Sequence, residues 1–333
     1  MLGALERTVG FAEGVVMSFD PDVLLPTAFA TTVQRGMEYA LVACRNEQLD
    51  VDFMQFRDLA RARSHVGVAS RESDTRVRLS PRWAQILDVQ GHRHELRAAL
   101  VDGSGQCWGA VNLLRDGGSP FSECDVRRVE GGIERSAMAI ARSMVAGARA
   151  ADSGPDAGSL WLDADGTVVF ASPAAERWLD ILGAGAPAGF ARALLAGLAM
   201  RAESDGGSWP GPAPAGAGGA AAIAVRARTA DGRWVRARAE RICRPGGAPA
   251  GVAVVIDSAR AGVILPLAAA AYRLTGRELE VTRGVLNGLD TRSIAGLLRI
   301  TEYTVQDHLK AVFDKVGVRS RRELAHRLAN QLG

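Results

Sequence analysis

The chain has 333 residues, 47% of them hydrophobic, and a formal net charge of +3. This length exceeds the usual size of one compact domain and predicts two or three domains. No apolar run reaches the roughly 18 to 20 residues needed to cross a bilayer, and the first residues lack the basic start and long apolar core of a signal peptide. These features predict a cytoplasmic protein without a membrane partner.

The excess of basic residues lies at the C-terminal end of the chain. From Tyr272 to Gly333 the sequence has 11 Lys and Arg against 7 Asp and Glu, whereas the remainder has 29 basic and 30 acidic residues. Localised positive charge is typical of nucleic-acid binding, although a basic solvated surface gives the same count.

Several kinds of enzymatic site are disfavoured by what the sequence lacks. Lys310 and Lys315 are the only lysines, which excludes a P-loop lysine or a Schiff-base lysine before residue 310 and disfavours a receiver domain. The four cysteines are scattered without a C-x-x-C pair, so we expect buried thiols and no metal site. We find no nucleophile elbow, metal-ligand set or phosphate loop, and therefore predict no catalytic residues.

Two segments rich in small residues, glycine and proline divide the chain. Residues 146–158 have the composition of a linker, and residues 205–219 that of a flexible loop or insert. The sequence therefore predicts an α+β multidomain protein with boundaries at 1–146, 156–258 and 266–333.

The first segment has a mixed α and β pattern. Apolar runs around a Gly-rich turn between Val101 and Leu114 predict a hairpin, and Ser122 with Asp125 forms a capping-box pattern before a long helix. The apolar stripe of this helix suits packing on its own sheet or a parallel dimer seam. It comprises Val126, Val129, Ile133, Ala137, Ile140 and Met144.

The run from Asp88 to Arg97, the hairpin at Cys107-Trp108-Gly109 and the long helix together resemble a GAF domain. The resemblance implies an α/β sensor that binds a small ligand over a central antiparallel sheet, or that dimerises without one. His92 and His94 are two residues apart and lack a third ligand, so we interpret them as surface residues and not as a metal site.

The second segment begins with two apolar stretches around a tight turn at Gly166. Ser172 and Pro173 then form a helix start, and alternating strands follow around a second Asp-Gly turn near Gly232. This order is similar to a PAS domain, which implies a second sensor. A histidine-ligated haem is excluded because the segment has no histidine.

The last sixty residues predict four helices with recognisable ends. The first starts at a capping box of Thr275 and Glu278, the second spans about 291–298 with Leu297 pointing inward, and the third is capped by Thr301 and runs to Val316. The fourth follows a capping-box pattern that begins at Ser320.

The motifs of this segment resemble those of the LuxR-type helix-turn-helix. The shared motifs are Leu-Thr-x-Arg-Glu, Ile-Ala-x-x-Leu, Thr-Val-x-x-His-Leu and Lys-Val-Gly-Val-Arg-Ser-Arg-x-Glu-Leu. The resemblance implies that the third helix enters the major groove and that the fourth supports dimerisation. Gln306 stands where many members have lysine, and glutamine favours adenine where lysine favours guanine or phosphate.

The third helix supplies most of the predicted contacts with DNA. Gln306, Asp307 and Lys310 face outward as predicted base contacts. The predicted phosphate contacts are Thr301, Thr304, His308, Lys315, Arg319 and Arg321. Leu324 and Leu328 share one face of the fourth helix, which belongs to the domain core alone or to core and dimer seam together.

The sequence therefore predicts a transcription regulator that binds double-stranded DNA as a homodimer, with RNA polymerase as a further partner of this class. A small molecule of unknown identity is expected in the GAF-like or PAS-like domain, where it would change dimer geometry. Two alternatives stay open: a sigma-like polymerase factor, which needs an additional helical domain, and an enzyme with a C-terminal DNA-binding module.

Overall fold

The computed structural model describes residues 1–146, 155–163, 166–184, 186, 189–204, 222–259 and 261–332. These residues form two compact units: one of residues 1–140, 155–230 and 235–257, and one of residues 141–154, 231–234 and 258–333, apart from the positions left out above. The predicted insert at 205–219 and most of the predicted linker at 146–158 lie outside the described residues.

A five-stranded antiparallel sheet organises the N-terminal part of the first unit, in the order β2-β1-β5-β4-β3. Its strands are β1 (Glu13–Asp20), β2 (Leu25–Thr31), β3 (Val66–Ser70), β4 (His94–Val101) and β5 (Cys107–Arg115). Its helices are α1 (Leu2–Thr8), α2 (Met37–Gln48), α3 (Phe56–Arg61), α4 (Asp88–Gln90), α5 (Glu123–Glu130) and α6 (Ile133–Val145).

The strand β4, which lies between β5 and the edge strand β3, is buried along its whole length, and this requires cover on both faces of the sheet. Trp83 and Trp108 are fully buried, and the Nε1 atom of Trp108 donates to Asp102 at 2.9 Å. The predicted hairpin between Val101 and Leu114 is confirmed as the β4–β5 pair.

The predicted long helix is two helices, because α5 ends at Glu130 and α6 begins at Ile133. Gly131 and Gly132 lie between them, where glycine lowers helix propensity. The capping box of Ser122 and Asp125 is confirmed by both of its hydrogen bonds.

A second five-stranded sheet has the order β7-β6-β10-β9-β8, so the two sheets repeat one arrangement of strands. Its strands are β6 (Gly158–Leu162), β7 (Val168–Ala171), β8 (Ile223–Arg228), β9 (Trp234–Cys243) and β10 (Pro249–Ser258). Its helices are α7 (Pro173–Gly183) and α8 (Phe190–Ser204). The predicted turn is confirmed at Gly166, where φ is +78°, and Ser172 caps α7 by accepting from the Ala175 N–H.

The two sheets of the first unit share apolar and ionic contacts. Leu25 of β2 belongs to the hydrophobic core built on the second sheet. The carboxylate of Asp20, fully buried, accepts hydrogen bonds from the backbone N–H of Arg226 at 2.7 Å and from its guanidinium at 2.6 and 2.9 Å. The ion pair therefore joins β1 to β8.

The second unit is helical. It contains α9 (Ala261–Ala271), α10 (Gly276–Leu286), α11 (Thr291–Leu298), α12 (Glu302–Val316) and α13 (Arg321–Leu332). The last four agree with the predicted helices. The helix α9, which packs against α13, was not predicted from sequence because its apolar residues lack a clear period and a capping residue.

The predicted burial of four side chains is wrong. His92 and His94 are buried, the first between Asp116 and Glu13 and the second against the Ser70 hydroxyl. Cys124 and Cys243 are exposed and not buried. Spacing alone does not reveal which neighbours cover a side chain.

Candidate nucleic-acid interface

The pair α11–α12 is defined by its ends. Asp290 caps α11 by accepting from the Ser293 N–H at 2.7 Å, and Arg299 ends it in the left-handed conformation with φ of 55°. Thr301 then caps α12 by accepting from the Thr304 N–H at 3.1 Å. The chain reverses between the two helices over Arg299, Ile300 and Thr301, as the sequence predicted.

Close packing against α10 holds α11 in position. Gly284 lies so near Ile294 that a Cβ atom added at Gly284 would approach Ile294 Cγ1 to 2.7 Å. A larger residue at Gly284 would therefore push α11 away from α10.

The helix α12 has one buried and one exposed face. Val305, Leu309, Val312 and Val316 are buried, as predicted. Gln306, Asp307 and Lys310 are exposed. The predicted base contacts therefore share the solvent side of one helix.

Three of the predicted contact residues form side-chain hydrogen bonds with other residues of this surface. The Gln306 amide donates to the Thr291 hydroxyl at 3.2 Å, which connects α12 to the first residue of α11. The hydroxyls of Thr301 and Thr304 lie 2.9 Å apart. His308 is half-buried.

Lys315 contacts the scaffold. Its Nζ atom lies 2.6 and 2.8 Å from the two carboxylate oxygens of Glu278 and 3.1 Å from the Arg273 carbonyl oxygen. Burial alone would raise the pKa of Glu278, but the hydrogen bonds from Lys315 and from the Thr275 N–H hold it below its ordinary value. A phosphate contact by Lys315 would require this ion pair to open.

The start of α13 differs in one bond from the predicted capping box. Glu323 N–H donates to the Ser320 hydroxyl as expected, but the Glu323 carboxylate accepts from the backbone of Arg319 and not of Ser320. Arg319 is exposed and Arg321 half-buried, beside this helix N-terminus.

One apolar residue of the domain departs from the prediction, and two leucines bear on an interpretation that the sequence left open. Leu324 and Leu328 are buried within one chain, which corresponds to the core interpretation of the two that the sequence left open. Leu297, predicted to point inward, has an exposed fraction of 69%. Tyr303, at the start of α12, has an exposed fraction of 76%, and no motif in the sequence indicated it.

Comparison with known proteins classifies this part of the chain. Residues 272–328 match the family model for bacterial regulatory proteins of the luxR family, so the C-terminal unit carries a LuxR-type helix-turn-helix domain. A putative HTH-type transcriptional regulator in the exeN 3′ region of Aeromonas salmonicida is 43% identical over 60 residues, which are 18% of this chain and 31% of that protein. The match therefore spans less than a third of the curated relative.

Solved structures of Vibrio cholerae VqmA are also similar. A VqmA–ligand–DNA complex is 22% identical with a TM-score of 0.19, over 34% of this chain and 55% of that chain. A VqmA dimer without its target DNA is 16% identical with a TM-score of 0.23, over 53% and 83% of the two chains. Scores this low do not define the fold of the N-terminal unit.

Within the part of the chain that the structure describes, no helix is long and apolar enough to cross a membrane. The same residues include no group of three His, Cys, Asp or Glu side chains placed to hold a metal ion.

Proposed function

We propose that this protein is a transcription regulator that binds double-stranded DNA through α12. The observation that carries the proposal is the exposed row of Gln306, Asp307 and Lys310 above a buried stripe, within the segment that matches the luxR family. A helix of this kind fits the major groove, where amide, carboxylate and ammonium groups distinguish base pairs.

The phosphate contacts would lie on either side of this row. Thr301 and Thr304 are at the N-terminal end of α12, and Arg319 and Arg321 are at the start of α13. Backbone N–H groups at helix N-termini favour anions, and arginine pairs with phosphate oxygens.

A homodimer on a two-fold symmetric site is the assembly we propose. One helix-turn-helix module contacts too few base pairs for strong specificity. Because Leu324 and Leu328 are buried within one chain, the proposed dimer contact would involve other residues of α13 or the first unit.

The two sheets are proposed to be GAF-like and PAS-like sensor domains that change the dimer in response to a small molecule. Their common strand order supports two related domains. The sheet in the first segment also disfavours a sigma-like factor, for which an additional helical domain was expected.

Selection of binding sites from random duplex DNA by the purified full-length protein tests the proposal. We expect an enriched two-fold symmetric motif whose affinity exceeds that of random duplex by about 10³-fold or more. Lys310→Ala should weaken binding, whereas Glu280→Ala, an exposed carboxylate of α10, should not. Equal affinity for the enriched and random duplexes would refute sequence-specific binding.

A further inference from the structure

A cavity of about 130 Å³ lies in the first unit beneath α2. Its walls include Met17 and Phe19 of β1, Tyr39 and Ala43 of α2, Arg97 of β4 and Asn112 of β5. The volume is similar to that of engineered cavities, about 150 Å³, that hold benzene. The space therefore suits a molecule with a single small ring.

Three residues of the wall retain buried polar atoms without hydrogen-bond partners. The Arg97 side chain is 3% exposed, and its Nη2 atom binds Glu47. Its Nε atom lies 3.9 Å from Glu95 Oε1, which is too far for a hydrogen bond, and neither Nε nor Nη1 has a hydrogen-bond partner. The Oδ1 atoms of Asn46 and Asn112 likewise have no hydrogen-bond partner. Because buried polar atoms are almost always paired in folded proteins, donors and acceptors left unpaired beside a cavity indicate that a bound molecule completes their hydrogen bonds.

The charges around the cavity disfavour an anion. Arg82 and Arg97 are balanced by three carboxylates, those of Glu47, Asp52 and Glu95. Arg82 contacts Glu95 at 3.1 Å and Asp52 at 3.6 Å. A negatively charged ligand would add a second uncompensated charge in a desolvated region.

The aromatic side chains of the wall are uncharged. Phe19 and Phe56 pack edge to face, and the Arg97 guanidinium lies 3.8 Å from the centre of the Phe56 ring. Burial raises the pKa of Tyr39 to about 12, so its ring is neutral at physiological pH. These walls suit a flat, uncharged ring.

We propose that this cavity binds a neutral ring molecule of about the size of benzene, with an acceptor for Arg97 and a donor for Asn112. The inference rests on the proposed sensor role and specifies the chemical class of its ligand.

The position of the cavity connects it to the second sheet of the same unit. Helix α2 packs on α8, where the Cys44 thiol lies 3.8 Å from the Ala193 carbonyl oxygen. A ligand that moves α2 would therefore change its contact with α8, because packed helices respond to such a change by small sliding motions.

Binding of small rings to the full-length protein, measured by ligand-observed NMR, tests the proposal. The probes are uracil and nicotinamide, which are neutral and carry adjacent donors and acceptors, with benzene and benzoate for comparison. We expect Kd values of about 1 mM or tighter for at least one neutral polar ring, and about tenfold weaker binding of benzene and benzoate. The proposal would be overturned if neither uracil nor nicotinamide bound, or if benzoate bound more tightly than both of them.

Two variants locate the site. Arg97→Lys keeps the charge but removes the Nε and Nη1 donors, so we expect the probe to bind about tenfold more weakly. Arg93→Lys is the control, because Arg93 pairs with Glu72 on the surface, and this variant should bind the probe as the parent does. Ala43→Phe fills the cavity without altering its ion pairs and should abolish binding of the probe. This variant tests the proposal even if Arg97→Lys does not fold. Unchanged binding by folded Ala43→Phe would place the probe elsewhere and contradict the proposal.

The DNA selection described above separates this inference from the proposed function. Specific DNA binding without binding of either polar probe would reject the ligand class alone. Binding of a polar probe without specific DNA binding would reject the proposed function and leave the ring site standing.

Discussion

Lys315 lies at the C-terminal end of α12 and is a predicted phosphate contact, yet its ammonium group is held by Glu278 of α10. The two roles have different consequences. A phosphate contact contributes about one unit to the dependence of log affinity on log salt, whereas a scaffold contact contributes to the stability of the domain.

We expect Lys315→Ala to lower the free energy of unfolding and to leave the salt dependence of DNA binding unchanged. The loss should be about 1 kcal/mol, because Lys315 is one-third exposed and water screens the pair. Denaturant unfolding and anisotropy titrations at several salt concentrations measure the two quantities. A shallower salt dependence with unchanged stability would instead make Lys315 a phosphate contact.

The same ion pair predicts a pH dependence. The folded-state pKa of Glu278 lies below its ordinary value of 4.5, so the ionised carboxylate contributes stability above pH 4.5 that is lost as the pH falls through the folded-state pKa. Glu278→Gln preserves the cap but removes this charge. We expect it to be less stable than the parent at pH 7, with a smaller difference at acidic pH.

Glu280→Gln is the matched control, since Glu280 pairs with Arg277 on the surface of the same helix. Its stability should stay within about 0.5 kcal/mol of the parent across this range. A difference for Glu278→Gln that grows as the pH falls would contradict the assignment.

At the scale of elements, helix ends were the most predictable feature. Thr275, Ser172 and Thr301 were identified as caps because each bond joins residues three apart in sequence. Leu297 was misplaced because an apolar residue on a short helix is buried only if another element covers it. The close packing at Gly284 was also missed, since it depends on the crossing of two helices.

Gly284→Ala tests that crossing. A Cβ atom at this position would clash with Ile294, so we expect a loss of about 1–3 kcal/mol although alanine is the better helix former. Gly296→Ala is the control: Gly296 is exposed on α11 with no neighbour near the added Cβ, and the change should stabilise by roughly 0.5–1 kcal/mol. Urea unfolding gives the free energy of unfolding of both variants. Equal changes in this free energy would argue against close packing at Gly284.

At the scale of the whole molecule, sequence patterns predicted mixed α and β segments before a helical one. They could not predict the common strand order or the Asp20–Arg226 pair, whose members are 206 positions apart. Nor could they identify the cavity, whose walls come from distant segments. Local periodicity carries no information on contacts of this range.

Arg226→Ala tests the connection between the two sheets. It would leave the fully buried Asp20 carboxylate without its cation, which typically costs about 3–5 kcal/mol. Arg192→Ala, which removes a half-exposed pair with Glu176, should cost no more than about 1 kcal/mol. Calorimetry measures the stability that each variant loses. Similar small losses for both variants would show that the buried pair does not stabilise the connection between the sheets.

The central claim is that the exposed face of α12 determines which DNA sequence the protein binds. The most direct measurement is the affinity of the parent and of Gln306→Ala for the selected duplex and for duplexes that each change one base pair. We expect Gln306→Ala to lose about 1–3 kcal/mol of discrimination at one base pair in each half-site and to keep the parent's preferences elsewhere. Identical preferences for the variant and the parent would contradict the account.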